Sequence, residues 1–266
     1  MTTDAAVLDL RREDDGYVGW CVNGRGERIF GGATLAHTVR AAELTVGGAR
    51  RIDALHALFL SPGSTRSPVR YRPSYLKRGR SIDVVSVEAA QADRVILTAH
   101  VTFHDGDDSS EYQDAAPAVP RPGRLGARED LLAAGGEAVR RPFEVRPVPR
   151  TGSEPRLDAW IRLRDAAEPA SHAALLAYAM DFLITRAAHV PLDPAQVNLI
   201  GASLDHAMWF HRPFDVREWL LVSSTATTFS RSRSLCHAEV FDESGRLVAT
   251  GAQEAYLPPV RTPRPH

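Results

Sequence analysis

The run Ala173-Ala174-Leu175-Leu176-Ala177-Tyr178-Ala179-Met180-Asp181-Phe182-Leu183-Ile184 is apolar at every position except for the Tyr178 hydroxyl and the Asp181 carboxylate. A helix that is apolar all round is buried on most sides. A carboxylate inside it loses its hydration, so it must be held ionised by hydrogen bonds and charge or else take up a proton. Either state suits an acid or base at an active site. A purely structural account also exists, in which Asp181 caps a loop or pairs with Arg186. Helix context alone leaves both open.

Other polar residues sit in unexpectedly apolar company. Gln253 shares its strand face with Leu247, Ala249, Ala255 and Leu257, where an amide must find partners. Ser203 lies in Gly201-Ala202-Ser203-Leu204-Asp205-His206 without the Gly-x-Ser-x-Gly elbow of a serine hydrolase. Ser203, Asp205 and His206 do not make a triad either, because neighbouring residues on a strand point to opposite faces. His206 and His211 lack a carboxylate or cysteine at metal-ligand spacing. Gly24-Arg25-Gly26 and Phe30-Gly31-Gly32 complete no phosphate-cradling loop and are expected to be a turn and a helix start.

These side chains need a scaffold. Val95 to Phe103 alternates apolar and polar residues as a strand with one buried face, and Leu235–Phe241 and Leu247–Leu257 are expected to form a hairpin about Asp242-Glu243-Ser244-Gly245. Helices are expected over Gly31 to Leu44 and Ser171 to Arg186. His56-Ala57-Leu58-Phe59-Leu60 recurs as His206-Ala207-Met208-Trp209-Phe210, and Arg94-Val95-Ile96-Leu97-Thr98 as Arg246-Leu247-Val248-Ala249-Thr250. Helix followed by strands, twice over, implies a duplicated α+β unit whose helix lies across its sheet. The expected boundaries are a first unit over 1–114, a Pro-, Gly- and Arg-rich linker over 115–140, a second unit over 141–257 and a proline-rich flexible tail over 258–266.

Composition narrows the function classes. With 32 basic against 33 acidic residues among 266, the chain carries no charge surplus for nucleic acid. The cysteines Cys21 and Cys236 lack C-x-x-C spacing, so no disulfide framework, metal site or cofactor is expected, and a reducing compartment fits. The first residues lack the basic and apolar regions of a signal peptide, and no apolar run reaches transmembrane length. A cytoplasmic protein with no membrane partner is expected.

The motifs Phe30-Gly31-Gly32, His56-x-x-Phe59-Leu60-x-Pro62-Gly63, Ser203-Leu204-Asp205-His206-x-Met208-Trp209-Phe210-His211-x-Pro213-Phe214 and Leu247-Val248-Ala249-x-x-x-Gln253-Glu254 resemble those of acyl-CoA thioesterase II, the TesB-like family. The resemblance runs from about Phe30 to Tyr256 and is most specific in the second half. It implies a double hot-dog fold, an acyl-CoA substrate from lipid metabolism, and a water-activating trio at Asp181, Ser203 and Gln253. It also implies a homo-oligomer, such as a dimer of double hot-dogs. Ala33 stands where the family commonly has Gln, Ser234 where it often has Gly, and Ser86 where an arginine is often found. These departures bear on substrate preference. The leading expectation is hydrolysis of acyl-CoA by a water activated at Asp181. The alternative is a divergent hot-dog protein that binds an acyl thioester or dehydrates it through His37, and an inactive scaffold ranks last.

Overall fold

Each half of the chain contributes strands on either side of one long helix to a common sheet. In the computed structural model, which describes residues 7–21, 24–25, 27–48, 50–107, 109–127, 142–150, 152–165, 167, 169–198 and 201–260, the first half comprises β1 (Arg11–Glu13), β2 (Gly16–Gly19), β3 (Gly24–Arg25), β4 (Arg28–Ile29), α1 (Gly31–Val46), β5 (Ile52–Phe59), β6 (Val69–Arg78), β7 (Ile82–Gln91) and β8 (Arg94–His104). The second half comprises β9 (Phe143–Pro147), β10 (Arg156–Leu163), α2 (His172–Leu183), a 3-10 turn over Ile184–His189, β11 (Ala202–Ser203), β12 (Asp205–Phe210), β13 (Leu220–Ser230), β14 (Arg233–Asp242) and β15 (Leu247–Tyr256).

The strands join in the order β1-β2-β6-β7-β8-β5-β12-β15-β14-β13-β10-β9, with β11 pairing on β15 and β3–β4 a separate hairpin. β5 and β12 pair antiparallel at the centre and fuse the two units edge to edge. This is the double hot-dog arrangement, each sheet curling round its own helix.

The central pairing corrects the register of the sequence repeat. Residues that face each other across an antiparallel pair point to the same side of the sheet. Ala57 faces His206, and both are buried. His56, next along the strand, therefore points the other way and is exposed, so it is not the counterpart of His206. Aligning Phe59-x-x-Pro62 on Phe210-x-x-Pro213 instead places Leu55 on His206 and Ala57 on Met208, all four buried. The matching histidines are a coincidence one residue out of register.

The two helices run antiparallel in contact. α1 buries Leu35, Ala36, Val39 and Ala42 completely and ends at Gly47, whose φ of 74° is left-handed and whose N–H donates to the Glu43 carbonyl. α2 starts at Ser171, whose hydroxyl accepts from the Ala174 N–H at 3.0 Å. Gly32 is required where they cross, since a Cβ there would lie 2.5 Å from the Tyr178 carbonyl oxygen. The helix expected through Arg186 is α-helical only to Leu183 and then tightens into the 3-10 turn, with Ile184, Ala187 and Ala188 buried against the second sheet.

Of the linker over 115–140, residues 128–140 lie outside the described residues, as do 261–266 of the tail. The described linker docks on the outer face of the second sheet. Ala116, Val119 and Leu125 pack on Trp160, Leu221 and Phe241, and the Trp160 indole N–H donates to the Pro120 carbonyl at 2.9 Å. At the start of the tail, the Pro258 carbonyl accepts from Asn198 N–H and the Val260 N–H donates to Gln196. Among the described residues no helix is long and apolar enough to cross a membrane.

Candidate active site

Asp181 sits in the last turn of α2, buried. Its Oδ1 accepts a hydrogen bond from the Ser203 hydroxyl at 2.8 Å and another from Gln253 Nε2 at 2.8 Å. Gln253 Nε2 also donates to Ser203 Oγ at 2.8 Å, closing a triangle of three short contacts. The structure thus brings together the three polar residues singled out in the sequence, from α2, β11 and β15. The pairing of Ser203 with Ala255 across β11 and β15 sets the hydroxyl and the amide at neighbouring positions over the helix.

The triangle fixes a fourth residue. Because the Gln253 amide nitrogen serves Asp181 and Ser203, its Oε1 faces His206 Nδ1, 2.9 Å away, and that nitrogen must carry the proton. His206 is completely buried and its Nε2 has no partner among the described residues. Burial lowers its pKa, against the raising effects of the Asp181 charge, the Gln253 hydrogen bond and the Asp205 charge, so the ring is neutral and donates to the amide. In the first unit the corresponding cross-strand pair is Leu55 with Val101, both fully buried. The second unit places a histidine and a glutamine where its twin keeps two aliphatic side chains.

All of these hydrogen bonds fall on Oδ1. Oδ2 points at the start of α1 in the other unit, where a Cβ added to Gly31 would lie 2.8 Å away. The N-cap residue Phe30 supplies no side-chain cap hydrogen bond, the Ala33 N–H donates to the Phe30 carbonyl at 3.0 Å, and the positive end of the helix dipole faces the carboxylate. Both border a cavity of about 390 Å³ whose lining includes Gly31, Thr34, Phe59, Asp181, Ser203 and Leu257. The arrangement can hold water on a carboxylate oxygen beside donors aimed at a developing oxyanion, which is the equipment of acyl transfer to water.

The other sequence candidates fall elsewhere. Arg186 forms no ion pair with Asp181, although it lines the same cavity. His37 is buried outside the cavity, with Nδ1 at 3.2 Å from the Tyr71 hydroxyl and 3.6 Å from Cys21 Sγ, and burial pushes its pKa down to about 4. His206, which lacks metal-ligand spacing, is instead a hydrogen-bond partner of Gln253 that its local sequence does not reveal. Its position one residue from the assumed repeat hid the signal, a histidine aligned on a leucine.

The chain from 109 to 257 matches the family model described as the acyl-CoA thioesterase C-terminal domain, and residues 19–104 match the acyl-CoA thioesterase N-terminal domain. It is 28% identical over 250 residues to acyl-CoA thioesterase 2 of Haemophilus influenzae, covering 86% of this chain and 87% of that one. Among solved structures, an acyl-CoA thioesterase II, TesB2, of Mycobacterium marinum superimposes with a TM-score of 0.83 at 28% identity, covering 98% of this chain and 99% of the other. A protein with a hot dog fold from Alicyclobacillus acidocaldarius, at 22% identity and a TM-score of 0.81 over 96% of this chain and 97% of its own, shares the fold.

Proposed function

The chain belongs to the acyl-CoA thioesterase family and is a thioester hydrolase, and from that premise we propose that it cleaves acyl-CoA to a free acid and CoA with a water activated at Asp181 Oδ2. The observation that carries this is the division of labour on one carboxylate. Oδ1 is tied down by Ser203 and Gln253, and Oδ2 is left beside Gly31 at the start of α1, on the wall of the cavity.

The water sits between Oδ2 and the thioester carbon. As its oxygen attacks, its proton passes to Oδ2 and the carbonyl oxygen takes the negative charge. The start of α1 at Gly31, which lines the cavity, receives that charge with the aid of the helix dipole. Collapse of the tetrahedral intermediate breaks the carbon–sulfur bond, and the proton held on Asp181 returns to the departing thiolate. Ser203 and Gln253 keep the carboxylate from rotating, a contribution of positioning, and His206 keeps the amide from flipping.

Thiol release measured over short, medium and long acyl-CoAs tests the proposal. Turnover at one or more chain lengths and its loss in Asp181→Asn are expected, and wild-type rates in that variant would overturn it. A second route has a specific observation behind it, since the Ser203 hydroxyl donates to a carboxylate as a nucleophile would. Ser203→Ala separates the two. An orienting hydroxyl costs roughly ten- to hundredfold in kcat, whereas a nucleophile costs essentially all turnover and leaves an acyl-enzyme to trap in the wild type.

Dehydration through His37 lacks comparable support, because that ring is packed against Cys21 and Tyr71, away from the cavity. Assembly and location belong to the same proposal. The sheet ends in β1 and β9, whose edges offer a second copy a place to pair, and light scattering reads the stoichiometry. Cys21 and Cys236 are free and buried, in keeping with the cytoplasm.

A further inference from the structure

The wall of the cavity beyond Asp181 is more polar than an alkyl chain requires. Phe182, Thr185, Arg186 and His189 line it at one-turn spacing, while Leu183, Ile184, Ala187 and Ala188 turn inward and are buried. The inner face of this segment anchors it to the sheet and its outer face is presented to the ligand. Arg186 stands in the middle of that outer face.

The Arg186 guanidinium has no hydrogen bond or ion pair among the described residues. Burial has lowered its pKa, and its charge helps burial push the pKa of His189 down to about 4, so the neighbouring ring adds no second positive charge. A partly buried, unpaired guanidinium gains when a carboxylate or phosphate takes its fork of donors. Resting on the hydrolase reading of this site, we propose that Arg186 is a specificity-determining residue that pairs with an anionic group of the thioester substrate, a carboxylate carried by the acyl chain.

The depth of Arg186 favours the chain over the carrier. Arg28 also lines the cavity but is exposed at its rim, where the phosphates of CoA would lie in water. Arg186 projects from the segment that continues α2 past Asp181, and two α-helical and three 3-10 steps carry it roughly 9 Å along the axis from the reacting centre. A thioester of a dicarboxylic acid would place its far carboxylate on such a residue. A simple fatty acyl chain would leave the guanidinium without a partner.

The test is equilibrium binding of four non-hydrolysable thioethers, measured by calorimetry on wild type, Arg186→Gln and Arg186→Lys. The ligands combine a neutral alkyl chain or an ω-carboxyalkyl chain of equal length with CoA or with phosphate-free pantetheine. Arg186→Gln is expected to weaken both carboxylated ligands about ten- to hundredfold and to leave both neutral ones nearly unchanged. Arg186→Lys, which keeps the charge but not the fork, is expected to fall between. A loss that follows CoA over pantetheine, whatever the chain, overturns the assignment to the acyl group and gives Arg186 to a phosphate. An equal loss with all four ligands, or none, overturns the pairing itself. Because these are binding measurements, they judge Arg186 whether or not Asp181 proves to be the base.

Discussion

Gly31→Ala is the smallest change that reaches Asp181 Oδ2, the oxygen proposed to take the proton of the attacking water. The added Cβ would lie 2.8 Å from Asp181 Oδ2 and 3.0 Å from Phe59 Cε1, whereas ordinary carbon–oxygen contacts begin near about 3.3 Å. Oδ2 must therefore retreat by roughly half an ångström. It cannot do so freely, because Oδ1 is held by two donors at 2.8 Å, and rotating the carboxylate lengthens one of them. A displacement of about 1 Å in a reacting group can cost on the order of a hundredfold, so half of that predicts a fall in kcat of about tenfold or more. The fold has little to lose, since alanine suits a helix better than glycine by up to about 1 kcal/mol, which offsets part of the local crowding. Steady-state thiol release with a thermal melt measures both. A fall in kcat with Tm within a few degrees of wild type is expected, and an undiminished kcat in the folded variant would refute the geometry. In a double-mutant cycle Gly31→Ala should cost nothing further once Asp181 is asparagine, because residues that act as one unit do not add.

His206→Leu restores the aliphatic residue of the first unit and frees the Gln253 amide to turn. A fall in kcat of roughly tenfold with an unchanged or higher Tm is expected, and equal activity would remove His206 from the positioning network. Glu43 carries the clearest pH signal. Burial raises its pKa from 4.5 to about 7, against the lowering effects of the Ser171 hydrogen bond and Arg40. The folded state thus holds a proton that the unfolded chain has released, and stability is lost as pH rises from about 4.5 through about 7, by at most roughly 3 kcal/mol. Urea melts across that range should show the slope in wild type and a much flatter profile in Glu43→Gln.

How much of this was legible depended on whether a residue's oddness was local. Asp181 and Gln253 announced themselves because their immediate neighbours are apolar, and Ser203 entered through the motif around it. The duplicated α+β plan followed from two helices and two sets of strands, and its double hot-dog form from the family resemblance. His206 was hidden because its meaning rests on a partner 47 residues away and on a repeat register that only the central strand pairing settles. Arg186 appeared in the sequence as a partner for Asp181 on spacing alone, yet the tightening of the helix after Leu183 turns it into the cavity instead. The start of α1 could not be assigned to this carboxylate either, because nothing local in Phe30-Gly31-Gly32 says which helix end will lie across from it.

The antiparallel helix pair has two ends, and they are finished differently. Where α2 ends, Asp181 faces the start of α1, whose cap residue Phe30 offers no side-chain acceptor. At the opposite end the start of α2 is capped by Ser171, which accepts from Ala174 and donates at 2.8 Å to Glu43 near the end of α1. The acid there is occupied in bracing the helix junction, and the N–H groups it faces are partly satisfied. The same bias runs through the sheets, since Leu55 and Val101 fill the first unit where His206 and Gln253 support the carboxylate in the second. A duplicated unit would generate two equivalent junctions if both copies kept the same side chains. Here one junction is stapled by Ser171 and Glu43, and at the other the second unit brings Asp181 and its hydrogen-bond partners to the helix start of the first. On this account neither half would be active alone, because each lacks what the other presents across the β5–β12 seam.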